Sequence, residues 1–141
     1  MAAAETPPPE LACLADELTI TLPWGSLLAG VLGRDHRVAA GITSLVAPGG
    51  IVRSIVSTAS CDGRSLAALD DRLAAAIADT WAGHDLTVAT FRPATAAELA
   101  RTHSTWARRL GLSGGRATTG TREAWLIELR RRRGTDAPPA R

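Results

Sequence analysis

Two stretches of the sequence place tryptophan close to serine, and their residue types are the ones most suited to a binding site. Leu22-Pro23-Trp24-Gly25-Ser26-Leu27-Leu28 is the stronger signal, because it follows directly on an apolar stretch with strand character. In open α/β sheets, ligands usually bind beyond the carboxyl ends of the strands. The second stretch, His103-Ser104-Thr105-Trp106-Ala107-Arg108-Arg109-Leu110, adds two arginines. The first stretch therefore predicts a site at the end of a strand.

Charge is distributed unevenly along the chain. Residues 1 to 91 carry five Arg and ten acidic residues, whereas residues 92 to 141 carry eleven Arg and four acidic residues. The formal net charge of +2 thus combines an acidic part with a strongly basic one. A basic region of this kind suits a polyanionic partner.

Cysteine and histidine are too scattered to indicate a metal centre. Cys13 and Cys61 form no CxxC pair and no other spacing typical of metal ligands, so neither a zinc site nor a disulfide framework is expected. We expect both residues to be buried, reduced thiols. His36, His84 and His103 have no second ligand at helical spacing. The sequence therefore predicts no metal site.

Four stretches have the apolar, β-branched character of strands, and helical patterns separate them. One helix begins after Ser26, a good N-cap, and a second covers residues 35–46 and ends at Pro48-Gly49-Gly50. Thr95 and Glu98 form a capping box at the start of a later helix. The predicted strands are residues 17–22, 51–56, 86–91 and 124–129.

This alternation is typical of an α/β sheet with helices on its faces. A chain of 141 residues that is 45% hydrophobic is long and apolar enough for one domain. However, a parallel sheet is usually covered at its edges, and here only a proline-rich leader precedes the first strand. We therefore expect the C-terminal part of a larger fold, with a flexible leader over residues 1–10, the domain part over 11–133 and a flexible tail over 134–141.

The N-terminus and the hydropathy pattern favour a soluble, cytoplasmic protein. No apolar run approaches the roughly 20 residues that a membrane-spanning helix needs. Residues 1–10 contain three prolines and two glutamates instead of the basic and apolar regions of a signal peptide.

The two tryptophan stretches, together with Leu45-Val46-Ala47-Pro48-Gly49-Gly50, resemble the aminoglycoside-resistance methyltransferases that modify N1 of an adenine in the decoding site of small-subunit ribosomal RNA. The resemblance covers about residues 10 to 132. The Pro-Gly-Gly turn occurs in many class I methyltransferases, so the specific part is the pair of tryptophan stretches. The resemblance implies a Rossmann-like sheet, S-adenosylmethionine as the methyl donor, and methylation of that adenine.

The resemblance also implies roles for individual residues. Trp24 and Trp106 would stack on the two faces of a flipped-out adenine, and stacking of this kind stabilises a bound base by about 1–3 kcal/mol. Ser26 and Ser104 would line the pocket near the methyl donor. The arginines implied to contact phosphates of the ribosomal RNA are Arg108, Arg109 and Arg116.

Helical periodicity gives Trp106 an alternative role in the core. On an unbroken helix it lies about 20° from Leu99 and about 40° from Leu110, whereas Ser104 faces the opposite way. Ser104 and Trp106 can therefore reach one pocket only if the helix ends or distorts near residues 101–103.

The other tryptophans and the last arginine run have simpler interpretations. Trp81 and Trp125 match no motif, and we interpret both as packing residues. The run of arginines at residues 130–133 is more typical of a solvated tail than of an RNA contact.

The sequence departs from the family pattern at its start. The family begins with a strand and a glycine-rich turn that hold S-adenosylmethionine, whereas no glycine precedes Gly25 here, and residues 17–22 correspond to the family's fourth strand. We therefore expect the chain alone to bind the methyl donor very weakly, and its exposed first strand to favour self-association. Two functions stay open: a truncated ribosomal RNA methyltransferase, and a non-catalytic basic module that binds RNA or a partner.

Overall fold

The computed structural model describes residues 4–57, 71–102, 105 and 124–134. A 3₁₀ turn at Pro9–Leu11 precedes the first strand. The strands are β1 (Ala15–Thr21), β2 (Val46–Ser57), β3 (Leu86–Pro93) and β4 (Ala124–Arg131). The helices are α1 (Gly25–Val31), α2 (His36–Leu45), α3 (Asp71–Ala82) and α4 (Ala96–Arg101). No helix within the described residues is both long and apolar enough to span a membrane.

The four strands form one mixed sheet in the order β1-β2-β4-β3. β1 and β2 are parallel, and their connection through α1 and α2 confirms the predicted α/β character. β4 lies antiparallel between β2 and β3, so β3 runs in the same direction as β1 and β2. Among the described residues, β1 pairs only with β2 and forms an edge of the sheet.

The predicted capping box of α4 is confirmed, and α2 begins with a side-chain cap that was not predicted. The Asp35 side chain caps α2 and accepts hydrogen bonds from the backbone N–H groups of Arg37 and Val38, at 3.0 and 3.3 Å. Thr95 and Glu98 form the predicted capping box of α4, in which each side chain binds the other's backbone N–H. Caps satisfy the donors that the first turn of a helix leaves free, so these two starts could be found from residue type and spacing alone.

Two predicted turns are wrong in detail. Ser26 does not cap α1, because Trp24 is the N-cap residue and its side chain makes no capping hydrogen bond. Gly25, with φ of +60°, lets the chain turn into the helix two residues earlier than predicted. Pro48-Gly49-Gly50 does not separate α2 from a strand but lies inside β2. The register with β1 shifts there, and Gly49 supplies a φ of +81° for the irregularity.

The larger core lies between one face of the sheet and α1, α2 and α3. Trp81 is its largest member, is wholly buried, and donates its indole N–H to the carbonyl oxygen of Val31 at 3.0 Å. Its packing role is confirmed. Trp125 packs partly buried against the same core, with its ring centroid 5.4 Å from that of Phe91. Ser54 is also buried here, and its hydroxyl has no hydrogen-bond partner among the described residues.

The opposite face of the sheet, which we call the open face, has only a small core. Ile55, Leu126 and Leu99 of α4 form this core, and Leu22, Ala94 and Ala124 pack around it. Polar side chains occupy much of the rest of this face, among them Glu17, Thr19 and Thr21 of β1 and Glu128 of β4. The two faces of the sheet are therefore covered very unequally within the described part of the chain.

The segment before β1 runs along α2. Ala4 packs against the larger core, and a Cβ atom at Gly41 would collide with the carbonyl oxygen of Ala4. Cys13 is exposed, with φ of +57°, so the prediction of a buried thiol is wrong for this residue. It lies in the turn between the 3₁₀ segment and β1, which keeps it at the surface. Cys61 lies outside the described residues.

Candidate functional site

The carboxyl ends of β1, β2 and β3 meet at one edge of the sheet, which we call the carboxyl edge. β4 begins at this edge because it runs antiparallel to the other strands. The backbone N–H of Ala94, after β3, donates to the carbonyl oxygen of Ala124 at 2.8 Å. The first tryptophan stretch follows β1 here. This is where ligands bind in open α/β sheets.

Leu22 makes a strained turn at the end of β1. Its φ is +49°, a conformation that costs L residues roughly 1–2 kcal/mol, and the following Pro23 further restricts its backbone. Its N–H donates to the carbonyl oxygen of Ile55 at 2.7 Å, and its side chain packs against the small core of the open face. These contacts hold the turn, and strained residues held in this way are frequent at functional sites.

The turn places Trp24 in solvent at the carboxyl edge. Trp24 is 82% exposed, while Pro23 beside it is buried. Ser26 is exposed in the first turn of α1, next to this tryptophan in the chain. Leu28 and Val31 bury the opposite side of the helix. An exposed indole beside a buried proline presents its ring to solvent, which suits stacking on a planar ligand.

α4 reaches the carboxyl edge from β3 and is fixed at its start by an ion pair. Arg92 Nη1 and Glu98 Oε2 are 3.0 Å apart, and Arg92 Nη2 contacts the second carboxylate oxygen. The hydrogen bond from Arg92 lowers the pKa of Glu98 to about 2, although partial burial opposes the shift, and the N–H of Thr95 adds to the lowering. The same pair raises the pKa of Arg92. Glu98 is therefore a carboxylate at all physiological pH values.

α4 ends where the second tryptophan stretch begins. Its last residue is Arg101, and Thr102 is the C-cap with extended backbone, φ −71° and ψ 137°. The Thr102 hydroxyl donates to the carbonyl oxygen of Leu99 at 2.7 Å. The helix break at residues 101–103, which a shared pocket for Ser104 and Trp106 requires, is confirmed by this end.

The structure brings together only part of the predicted site. Trp24 and Ser26 are described and lie side by side at the carboxyl edge. The other predicted site residues lie outside the described residues: Ser104, Trp106, Arg108, Arg109 and Arg116. Leu22 and Leu99 nevertheless pack around the same small core. Leu22, which opens the first tryptophan stretch, and α4, which precedes the second in the chain, thus meet at one small core.

A cleft of about 580 Å³ lies on the open face beside this small core. Arg53 crosses its floor, with Nη1 2.7 Å from Glu17 Oε1 and Nε 3.7 Å from Glu128 Oε1. Thr19, Thr21 and Arg101 also line it. We did not predict this charged row from the sequence. The available signal was Arg53 itself, a charged residue inside an otherwise apolar strand.

Two further expectations change with the structure. Arg130 and Arg131 belong to β4, so the arginine run is not simply a tail. The guanidinium of Arg131 donates to the carbonyl oxygens of Val46 and Thr43, the latter at 3.3 Å, and thereby ties β4 to the end of α2. The histidines are also less scattered than the sequence indicates. His36 Nδ1 and His84 Nε2 are 3.3 Å apart, whereas His103 lies outside the described residues.

Comparison with known proteins gives consistent matches. A family model described as 16S rRNA (adenine(1408)-N(1))-methyltransferase, NpmA, matches residues 1–124. A curated rRNA methyltransferase of Saccharopolyspora hirsuta is 52% identical over 48 residues, which make up 34% of this chain and 30% of that protein.

Solved structures match over almost the whole chain. The antibiotic-resistance methyltransferase Kmr is 25% identical with a TM-score of 0.69, over 95% of this chain and 61% of Kmr. A variant of the 16S rRNA (adenine(1408)-N(1))-methyltransferase from Catenulisporales acidiphilia, solved with the cosubstrate SAM, is 24% identical with a TM-score of 0.73, over 97% of this chain and 62% of that one. The chain thus spans less than two thirds of the length of each of these proteins.

Proposed function

Because this chain belongs to the family of 16S rRNA (adenine(1408)-N(1))-methyltransferases, we propose that it takes part in transferring a methyl group from S-adenosylmethionine to N1 of a decoding-site adenine, and thereby in aminoglycoside resistance. The observation that carries this proposal is the carboxyl edge. There Trp24 is 82% exposed, and Leu22, two residues before it, packs against the same small core as Leu99 of α4.

Trp24 is proposed to stack on one face of the flipped adenine, with Trp106 on the other. A base that leaves a helix loses its stacking neighbours, and an aromatic side chain replaces them at about 1–3 kcal/mol per base. The buried Pro23 and the strained Leu22 fix the backbone from which Trp24 projects. The exposed indole presents its ring to solvent, where a planar base can reach it.

Methyl transfer to adenine N1 depends on the alignment of donor and acceptor more than on acid or base catalysis. The methyl donor, when bound, supplies an electrophilic methyl group on a sulfonium, and adenine N1 is a usable nucleophile without deprotonation. The part of this chain is then to hold the base with N1 in line with that methyl group. Positioning of this kind accounts for a large share of many rate enhancements. Trp24 and Trp106 would fix the plane of the base, and Ser26 and Ser104 would line the pocket near the donor.

The described residues fit S-adenosylmethionine only in part. Ser26 is exposed at the carboxyl edge and can contribute a hydroxyl there. The glycine-rich turn by which the family holds the cofactor has no counterpart, since no glycine precedes Gly25. We therefore expect the isolated chain to bind S-adenosylmethionine very weakly, and calorimetry on the purified chain measures this directly.

We propose that the chain supplies the C-terminal half of the family's sheet. The edge position of β1 supports this, because the corresponding strand of the family is flanked on both sides. We assign residues 11–133 to this half, with residues 1–10 and 134–141 as a leader and a tail. The outer edge of β1 would then be open to another chain, and self-association through it is the expected consequence.

A non-catalytic role is the second candidate. The missing glycine-rich turn and the eleven arginines after residue 91 favour a basic module that binds small-subunit RNA without holding a cofactor. Both candidates place Trp24 and the arginines against RNA. They differ in methyl transfer when the upstream half of a family member is added: the first predicts N1-methyladenine in the ribosomal RNA, and the second predicts none.

Replacing Arg108 and Arg109 together with alanine tests the RNA contact. Each phosphate contact contributes about 0.7–0.9 to the slope of log K against log salt, so we expect weaker binding to small ribosomal subunits and a slope reduced by about 1.4–1.8. Arg34→Ala with Arg37→Ala is the matched control, because it removes two exposed arginines from the acidic part. An unchanged slope for the first pair contradicts the RNA contact.

A further inference from the structure

Two histidines outside the carboxyl edge meet in the fold. His36 is the first residue of α2, and His84 lies in the turn between α3 and β3, 48 positions later. Their nearest ring nitrogens, Nδ1 of His36 and Nε2 of His84, are 3.3 Å apart, and their ring centroids are 5.6 Å apart. Neither the family motif nor the proposed methyl transfer uses this pair.

Both imidazoles sit on well-fixed backbone. The N–H of His84 donates to the carbonyl oxygen of Trp81 at 2.9 Å, and its ring stands edge-on to the buried indole, with centroids 6.2 Å apart. Thr80 ties the same end of α3 to Gly33 through a hydrogen bond of 3.2 Å. Asp35 fixes the start of α2 by capping its first turn. Packed elements thus hold the backbone of both histidines in place.

The 3.3 Å between the two ring nitrogens matches the distance between two ligand atoms that bind one metal ion. A Zn²⁺ ion lies about 2.0–2.1 Å from each ligating nitrogen, so two nitrogens 3.3 Å apart subtend about 105–110° at the ion. That is close to the tetrahedral angle. We propose that Nδ1 of His36 and Nε2 of His84 bind one Zn²⁺ ion, with water completing the coordination. Each ring then carries its remaining proton on its other nitrogen.

The surroundings fit an open site of modest affinity. His36 is exposed and His84 half-buried, so water can reach the remaining positions. No group of three or more His, Cys, Asp or Glu side chains is placed to hold a metal within the described ranges, which distinguishes this pair from a closed structural zinc site. The partial positive charge at the N-terminus of α2 disfavours a bound cation, and the negative charge of the Asp35 carboxylate at that end offsets this effect. Imidazole ligands favour Zn²⁺, Ni²⁺ and Cu²⁺ over Mg²⁺.

Calorimetric titration of the full chain with ZnCl₂ tests the proposal. We expect one Zn²⁺ bound per chain and no binding of MgCl₂. The affinity for Zn²⁺ should fall by at least about tenfold in His36→Asn and in His84→Gln. These variants keep a polar side-chain atom in place of the ring nitrogen but remove the imidazole. His103→Ala is the control and is expected to bind Zn²⁺ like the wild type. Zn²⁺ should also raise the melting temperature of the wild type more than that of either variant.

A second measurement does not depend on any variant. Imidazole NMR signals of the wild-type chain should shift or broaden with Zn²⁺ for His36 and His84 and stay unchanged for His103. Absence of Zn²⁺ binding, equal affinity in wild type and both pair variants, or loss of binding in His103→Ala would each overturn the proposal.

Discussion

The two faces of the sheet differ in what covers them. On the helix-covered face, Ile20, Val52, Ile127 and their neighbours are buried under α1, α2 and α3 around Trp81. On the open face, the small core around Leu99 is flanked by a charged row, in which Arg53 contacts Glu17 and Glu128. Strands of doubly wound sheets are usually apolar on both faces. Here Leu18 and Ile20 of β1 pack in the larger core, whereas Thr19 and Thr21, which alternate with them, line the cleft of the open face.

This difference separates stability from function. The helix-covered face holds the fold together, whereas the small core of the open face holds Leu22 and α4 at the carboxyl edge. We therefore expect truncation of large apolar side chains on the first face to destabilise the fold, and substitutions near the small core of the second to disturb the candidate site. Four of the following changes test that contrast through stability or pH, and the last tests it through binding.

Trp81→Ala should have the largest effect on stability. It removes the largest wholly buried side chain and its hydrogen bond to Val31. Truncation of a buried aromatic residue typically lowers the free energy of unfolding by about 3–5 kcal/mol. Urea unfolding followed by circular dichroism measures the loss, and Trp81→Phe, which keeps a ring, should lose clearly less. A small effect of Trp81→Ala would mean that the larger core does not dominate stability.

Leu99→Ala should destabilise less but act on the site. Leu99 is 6% exposed in a core of only three buried residues, so we expect a loss at the low end of the usual range, about 2 kcal/mol. Leu22 packs around the same core, so the fluorescence of Trp24 should also respond if the two tryptophan stretches share this anchor. Comparison with Trp24→Ala isolates the emission of that residue. An unchanged Trp24 emission would mean that the two tryptophan stretches do not share this anchor.

Ser54→Ala should leave stability unchanged or raise it. The Ser54 hydroxyl is buried and has no partner among the described residues, and an unsatisfied buried polar group costs about 1–3 kcal/mol. We expect an increase of up to about 1 kcal/mol in the free energy of unfolding. Ser57→Ala, which alters a buried serine that does have an interaction, is the matched control. Clear destabilisation by Ser54→Ala would show that its hydroxyl is satisfied.

Glu98→Gln tests the ion pair at the start of α4 through pH. The folded pKa of Glu98 is about 2, below its ordinary value, so its contribution is present above about pH 5 and disappears as pH falls through about 2. Glutamine also completes a capping box, so the substitution removes mainly the charge. Urea midpoints of wild type and variant should therefore differ at pH 6 and converge towards pH 2. A difference that does not depend on pH would contradict this origin.

Elements with local signals could be predicted from the sequence, and contacts between distant residues could not. Asp35 and the Thr95–Glu98 box mark helix starts, because a cap is defined by residues that are neighbours in the sequence. The extension of β2 through Pro48-Gly49-Gly50 was missed because its pairing with β1 overrides the local turn signal. The contact of Arg131 with Val46 was missed because it joins residues 85 positions apart.

For the candidate site, too, only features with local signals were predicted from the sequence. Its position at the carboxyl end of β1 followed from the alternation of strands and helices, and the identity of Trp24 and Ser26 followed from the motif. The strained turn at Leu22 was not foreseen, since a leucine before proline carries no signal for positive φ. The His36–His84 contact joins residues 48 positions apart, which no spacing in the sequence encodes.

The most direct test of the central claim is the affinity of Trp24→Ala for small ribosomal subunits at fixed salt. Trp24 is 82% exposed, so the free energy of unfolding should stay within about 0.5 kcal/mol of wild type. Loss of one stacking platform corresponds to about 1–3 kcal/mol, so binding should weaken by about 5- to 150-fold. Trp24→Phe should recover part of the affinity. Unchanged affinity of a folded Trp24→Ala variant would contradict the assignment of the carboxyl edge as the adenine site.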